Sequence, residues 1–102
     1  MAEFVRVARQ SELPEGTTRE VELNGRVVAL FNINGNIFAI DGICPHAGGP
    51  LGEGFVEGTT VTCPWHGWQF DLGTGRNPRN AACEQQRYEV KLQEGEIFLS
   101  LP

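Results

Sequence analysis

Apolar and polar residues alternate along this chain in short runs, and turn residues cut the runs at close intervals. Val21-Glu22-Leu23, Asn24-Gly25 and Val27-Val28-Ala29-Leu30-Phe31 form a β-hairpin pattern of the Asn-Gly type. Asn34-Gly35 follows at once and leads into Ile37-Phe38-Ala39-Ile40, so the segment from Val21 to Ile40 predicts a three-stranded antiparallel meander. Near the end, Tyr88-Glu89-Val90-Lys91-Leu92 alternates with period two. Glu94-Gly95 turns the chain, and Ile97-Phe98-Leu99 supplies a return strand. Phe4-Val5-Arg6-Val7 predicts a first strand and Thr60-Val61-Thr62 a short one. Residues 9–16 have room for a helical turn, which Pro14 and Gly16 limit. No stretch of ten or more residues carries a clean helical period.

The expected architecture is all-β: a small antiparallel β-sandwich forming one domain over residues 1–102. Between the meander and the final hairpin, residues 42–80 are rich in Gly and Pro and form a separate loop-bearing subdomain. A chain this short buries only about two-thirds of its unfolded surface, so a bound metal would add to a thin stability margin. The formal charge of −5 argues against nucleic acid, which needs a basic face, and suits solubility or docking to a basic partner. No apolar run reaches membrane-spanning length, and Met1-Ala2-Glu3-Phe4 has no signal-peptide character, so the expected location is the cytoplasm.

The chemistry gathers in residues 42–80. Both histidines of the chain and two of its three cysteines fall in Cys44-Pro45-His46 and Cys63-Pro64-Trp65-His66, with 16 residues between the pairs. Thiolate and imidazole suit zinc, iron and iron–sulfur clusters, not Mg or Ca. A structural zinc would usually pair like with like, Cys with Cys and His with His, whereas each knuckle here is mixed. A cluster of two irons suits mixed knuckles, because a loop running along it can give Cys to one iron and His to the other. A third reading leaves the four side chains buried and unliganded. Cys83 has no His or second Cys nearby and reads as a small buried hydrophobe.

The spacing Cys-x-His-x16-Cys-x2-His, within Cys44-Pro45-His46-Ala47-Gly48-Gly49 and Cys63-Pro64-Trp65-His66-Gly67-Trp68 followed by Phe70-Asp71, resembles the Rieske ferredoxin family. The strand pattern resembles it over nearly the whole chain. The resemblance implies one Rieske-type [2Fe–2S] cluster per chain, with Cys44 and Cys63 on the inner iron and His46 and His66 on the outer. The free nitrogens of His46 and His66 would face solvent, where a partner docks. Two thiolates cancel the positive charge of a diferric core with two sulfides. The oxidised site is then near neutral, and more easily reduced than an all-Cys cluster. High-potential relatives carry an extra Cys in each loop and hydroxyl donors to the cluster sulfurs. The matching positions here are Gly49, Trp65, Trp68 and Phe70, which implies a low potential.

The implied role is that of the ferredoxin component of aromatic-ring dioxygenase systems. It is a one-electron carrier, not an enzyme, that takes electrons from a flavin reductase and passes them to a terminal oxygenase, and it is expected to be monomeric. Both histidines are committed to iron, which leaves no Ser-His-Asp set. No glycine-rich phosphate loop follows a strand. The alternatives are a small subunit like that of NAD(P)H-dependent nitrite reductase, and a redox sensor or a carrier for another reductase. Trp65 and Trp68 read as lids over the cluster and Phe70 as core. Pro78 reads as either part of a third cluster loop or an ordinary turn. Glu53, Glu57, Arg76 and Arg79 read as surface charges, any of which could flank the docking edge.

Overall fold

The structure, a computed structural model, describes residues 3–43, 50–65, 67–77 and 80–100, and for 80–84 the backbone alone. The strands are β1 (Phe4–Arg9), β2 (Thr18–Leu23), β3 (Arg26–Ile33), β4 (Asn36–Asp41), β5 (Phe55–Glu57), β6 (Thr60–Thr62), β7 (Gln69–Asp71), β8 (Arg76–Asn77), β9 (Asn80–Glu84), β10 (Arg87–Tyr88), β11 (Val90–Gln93) and β12 (Glu96–Ser100). Short 3₁₀ turns occupy Gln10–Glu12 and Leu51–Glu53, the first where a helical turn is expected. Among the described residues no helix is long and apolar enough to cross a membrane.

The predicted meander forms as read. β2 pairs with β3 and β3 with β4, both antiparallel. Leu23 pairs with Arg26 and Ile33 with Asn36, so each turn is a two-residue Asn-Gly loop. Asn24, Gly25, Asn34 and Gly35 all have positive φ, as the tight hairpin turn that matches strand twist requires.

β3 is the keel of the molecule, because both of its faces are buried. Val28 and Leu30 point into one core with Ala8, Leu13, Leu23, Ala39, Tyr88, Ile97 and Leu99. Ala29 and Phe31 point into a second core with Ile40, Leu51, Val61, Cys63, Phe70 and Leu72. A strand covered on both sides reads as a continuous apolar run, which accounts for Val28 to Phe31, while Val27 at the start of the run is exposed. The middle sheet, ordered β10-β4-β3-β2, therefore lies between two others. On one side is the sheet β1-β12-β11. On the other is β5-β6-β7; the ribbon β8-β9 follows it in the chain, with β8 in contact with β7. The sandwich expected from the sequence is present, and a third small sheet is added to it.

Two details differ from the sequence reading. The alternating run from Tyr88 to Leu92 is two strands. Tyr88 pairs with Ala39 in the middle sheet, while Val90 pairs with Leu99 in the outer one. The chain changes sheets at Glu89, whose N–H donates to Ser100 Oγ at 3.1 Å and whose carbonyl accepts from Ser100 N at 3.1 Å. The Gly- and Pro-rich middle also holds more order than expected, since β5, β7 and β8 accompany the predicted β6.

Candidate metal centre

The second knuckle is the connection between β6 and β7. Val61 pairs with Phe70 and Thr62 with Gln69, and Gln69 Nε2 donates to Thr62 Oγ1 at 3.4 Å. The ladder then closes at Cys63, whose N–H donates to the Trp68 carbonyl at 2.7 Å. Gly67 N returns to the Cys63 carbonyl at 3.1 Å, from a backbone with φ of +73°. The loop is thus pinned at its root by two backbone bonds to one residue. Cys63 itself is 1% exposed, is not in a disulfide, and packs within the second core.

The first knuckle leaves the end of β4. Gly42 N donates to the Val27 carbonyl at 2.8 Å, Ile43 bridges Pro50, and Leu51 N donates back to the Gly42 carbonyl at 2.8 Å. The described residues on either side of the knuckle, Ile43 and Pro50, are therefore joined by an antiparallel bridge. Leu51, one residue past that bridge, shares the second core with Cys63, so the roots of the two knuckles converge on one buried cluster. Cys44, His46 and His66 lie outside the described residues, as do Gly49, Pro78 and Arg79. Cys83 is on β9, and its side chain lies outside the described set, so the reading of it as a buried hydrophobe does too.

The flanking aromatics divide. Phe70 is fully buried, as expected of a core residue. Trp68 packs against the second core, whereas Trp65 is 58% exposed. Glu53, Glu57 and Arg76 are exposed.

A polar network at the end of β4, on the residues that precede the first knuckle, has no signal in the sequence. Asp41, at the end of β4, accepts from Arg26 Nη2 at 2.9 Å and from the Tyr88 hydroxyl at 2.5 Å. Burial, then the Asp41 carboxylate, drives the Tyr88 phenol well above the ordinary tyrosine range. Gln85 Nε2 donates to the carbonyls of Asp41 at 3.0 Å and Ile43 at 2.5 Å, the two residues that flank Gly42 just before the knuckle.

Comparisons with known proteins agree with this geometry. The pattern of the Rieske [2Fe-2S] domain matches residues 3–96. The ferredoxin component of the naphthalene 1,2-dioxygenase system of Pseudomonas aeruginosa is 34% identical over 88% of each chain. Among solved structures, a chain in the complex of reduced oxygenase and oxidized ferredoxin of carbazole 1,9a-dioxygenase superposes with a TM-score of 0.83. It is 28% identical over 95% of this chain and 92% of that one. A nitrite reductase small subunit from Mycobacterium tuberculosis, 22% identical over 100% of this chain and 97% of that one, has a TM-score of 0.91 and shares the fold.

The group carried by this family is a [2Fe–2S] cluster, and the described residues fit it. A buried thiol outside any disulfide, at the root of a pinned hairpin loop, is a suitable sulfur donor to iron. The apolar second core beneath it shields such a group from water on that side. With the domain pattern running from residue 3 to residue 96, the chain belongs to the Rieske [2Fe–2S] family, and its cofactor is a [2Fe–2S] cluster.

Proposed function

We propose that Cys44, His46, Cys63 and His66 hold the cluster, and that the chain carries single electrons from a flavin-dependent reductase to a terminal oxygenase. The observation that carries this reading is the buried thiol of Cys63 at the root of a pinned loop, in a chain one-third identical to a dioxygenase ferredoxin. The cluster supplies reversible one-electron storage. The protein's part is to hold it rigidly, so that little rearranges when the charge changes. The bonds at Cys63 and the Ile43–Pro50 bridge support that task. The oxygenase role draws support from the relative whose structure is a complex of oxygenase and ferredoxin. Docking takes place at the edge carrying His46 and His66; Trp65, next to His66 in sequence, is exposed.

The chain works as one domain over residues 1–102, with residues 42–80 as its cluster-binding part, as a monomer in the cytoplasm and without catalytic residues of its own. Its potential lies toward the bottom of the Rieske span of roughly −150 to +300 mV. Gly49 and Trp65 cannot form a disulfide between the loops, and Trp68 and Phe70 carry no hydroxyl to stabilise the reduced cluster. Reconstitution with a ferredoxin reductase and a ring-hydroxylating oxygenase, alongside a redox titration, tests both parts. Turnover that depends on this protein and a midpoint below zero are expected. No electron delivery to any such oxygenase would remove the carrier assignment, and a midpoint well above zero would remove the low-potential one.

A further inference from the structure

We propose that Gln85 is a positioning residue for the cluster loops, acting through the backbone at the root of the first knuckle. The inference rests on the ligand reading above and concerns a residue outside the ligand set.

Tyr88 aside, Gln85 is the one polar residue buried among the described residues, at 6% exposure. Its carboxamide nitrogen donates to the carbonyls of Asp41 and Ile43, the second ending one residue before Cys44. Its own backbone N–H donates to the Gly75 carbonyl at 2.6 Å. Gly75 closes the turn that follows β7, the strand leading out of the second knuckle. That turn is held by Gly75 N to the Asp71 carbonyl at 2.6 Å and by Gly73 N to Asp71 Oδ1 at 2.7 Å. One residue therefore joins the root of the first knuckle to the segment that exits the second.

The fit at this junction is close. A Cβ on Gly75 would lie 2.4 Å from the Gln85 carbonyl oxygen, so Gly75 must be glycine for Gln85 to sit where it does. A carboxamide also suits the task better than a charged group. It is neutral and donates two N–H bonds from one atom, so it can pair two buried carbonyls without the desolvation cost of burying a charge. Without it, those two carbonyls lose their shared donor, and of the ties between the base of the first knuckle and this segment only the backbone bond from Asp41 N to the Gln86 carbonyl at 2.9 Å is left.

The test compares iron release to a chelator and the EPR spectrum of the reduced protein in wild type, Gln85→Met, Gln85→Glu and Asn32→Ala. The first substitution keeps length and removes the donor. The second keeps shape and sets a carboxylate against two carbonyls. The third removes a side-chain clamp away from the knuckles, where Asn32 bonds the Leu13 carbonyl and Gly35 N. Both Gln85 variants should release iron at least about tenfold faster than wild type, with broadened or shifted g-values. Asn32→Ala should lower the unfolding temperature while keeping wild-type release and spectrum. Wild-type release and an unchanged spectrum in both Gln85 variants would overturn the role, as would equally fast release from Asn32→Ala. The wild-type spectrum reports the ligand reading separately, so failure of one is distinguishable from failure of the other.

Discussion

Tyr88 is the chain's single tyrosine, and its hydroxyl donates to Asp41 Oδ1, which makes its ionisation readable by itself. Burial and the adjacent carboxylate both favour the neutral phenol, so the folded state keeps this proton to higher pH than the unfolded chain does. The contribution to stability is whole below the ordinary tyrosine pKa of about 10 and is lost as pH rises toward the folded value. A spectrophotometric titration should show phenolate appearing only together with alkaline unfolding. A transition near the ordinary value in protein that remains folded would contradict the Tyr88–Asp41 contact. At this scale the sequence was informative about chemistry and silent about support. Cys63 stands out because Cys and His are scarce and paired. Asp41, Gln85 and Tyr88 do not, since a lone Asp, Gln or Tyr looks like any surface or core position until the fold brings residues more than forty positions apart into contact.

Among the elements, the hairpins were the most legible because their turns demand a backbone that few residues adopt. Of the three predicted from the sequence, two use Asn-Gly, and the one between β11 and β12 uses Glu94-Gly95 with φ of +52° and +76°. Glu94 is exposed there, and a non-glycine residue in the left-handed region costs of order 1 kcal/mol, less for asparagine. Glu94→Asn should therefore raise the unfolding midpoint by a few degrees, a change of up to about 1 kcal/mol measurable by thermal or denaturant melting. A lower midpoint would show that the Glu94 side chain contributes more than its backbone strain costs. The short strands β5, β7 and β8 were not legible. At two or three residues each they are too short to show a period, and unlike Thr60-Val61-Thr62 of β6 they are not β-branched throughout. The sheet change at Glu89 was hidden for a related reason. Period two continues straight through it, with no Gly or Pro to mark the crossing.

For the whole molecule, the consequence of two cores is a division of labour. The core between the outer sheet β1-β12-β11 and the middle sheet joins the first and last strands, Phe4 pairing with Ser100, and closes the chain on itself. The core on the other face of β3 carries Cys63, Leu51 and Phe70 and holds up the knuckle roots. One strand thus couples the stability of the scaffold to the geometry of the site. The all-β sandwich was readable from the turn chemistry, but the doubling of the core around β3 was not. An apolar run such as Val27 to Phe31 does not say which side chains share a face with which partners.

The central claim is that two mixed Cys–His knuckles hold a two-iron cluster, with His46 and His66 on one iron. EPR of the dithionite-reduced protein tests it most directly. A rhombic signal is expected, with an average g below that of all-Cys [2Fe–2S] proteins, the mark of imidazole on the reducible iron. An all-Cys-type signal, or a protein that binds zinc and gives no signal on reduction, would contradict it.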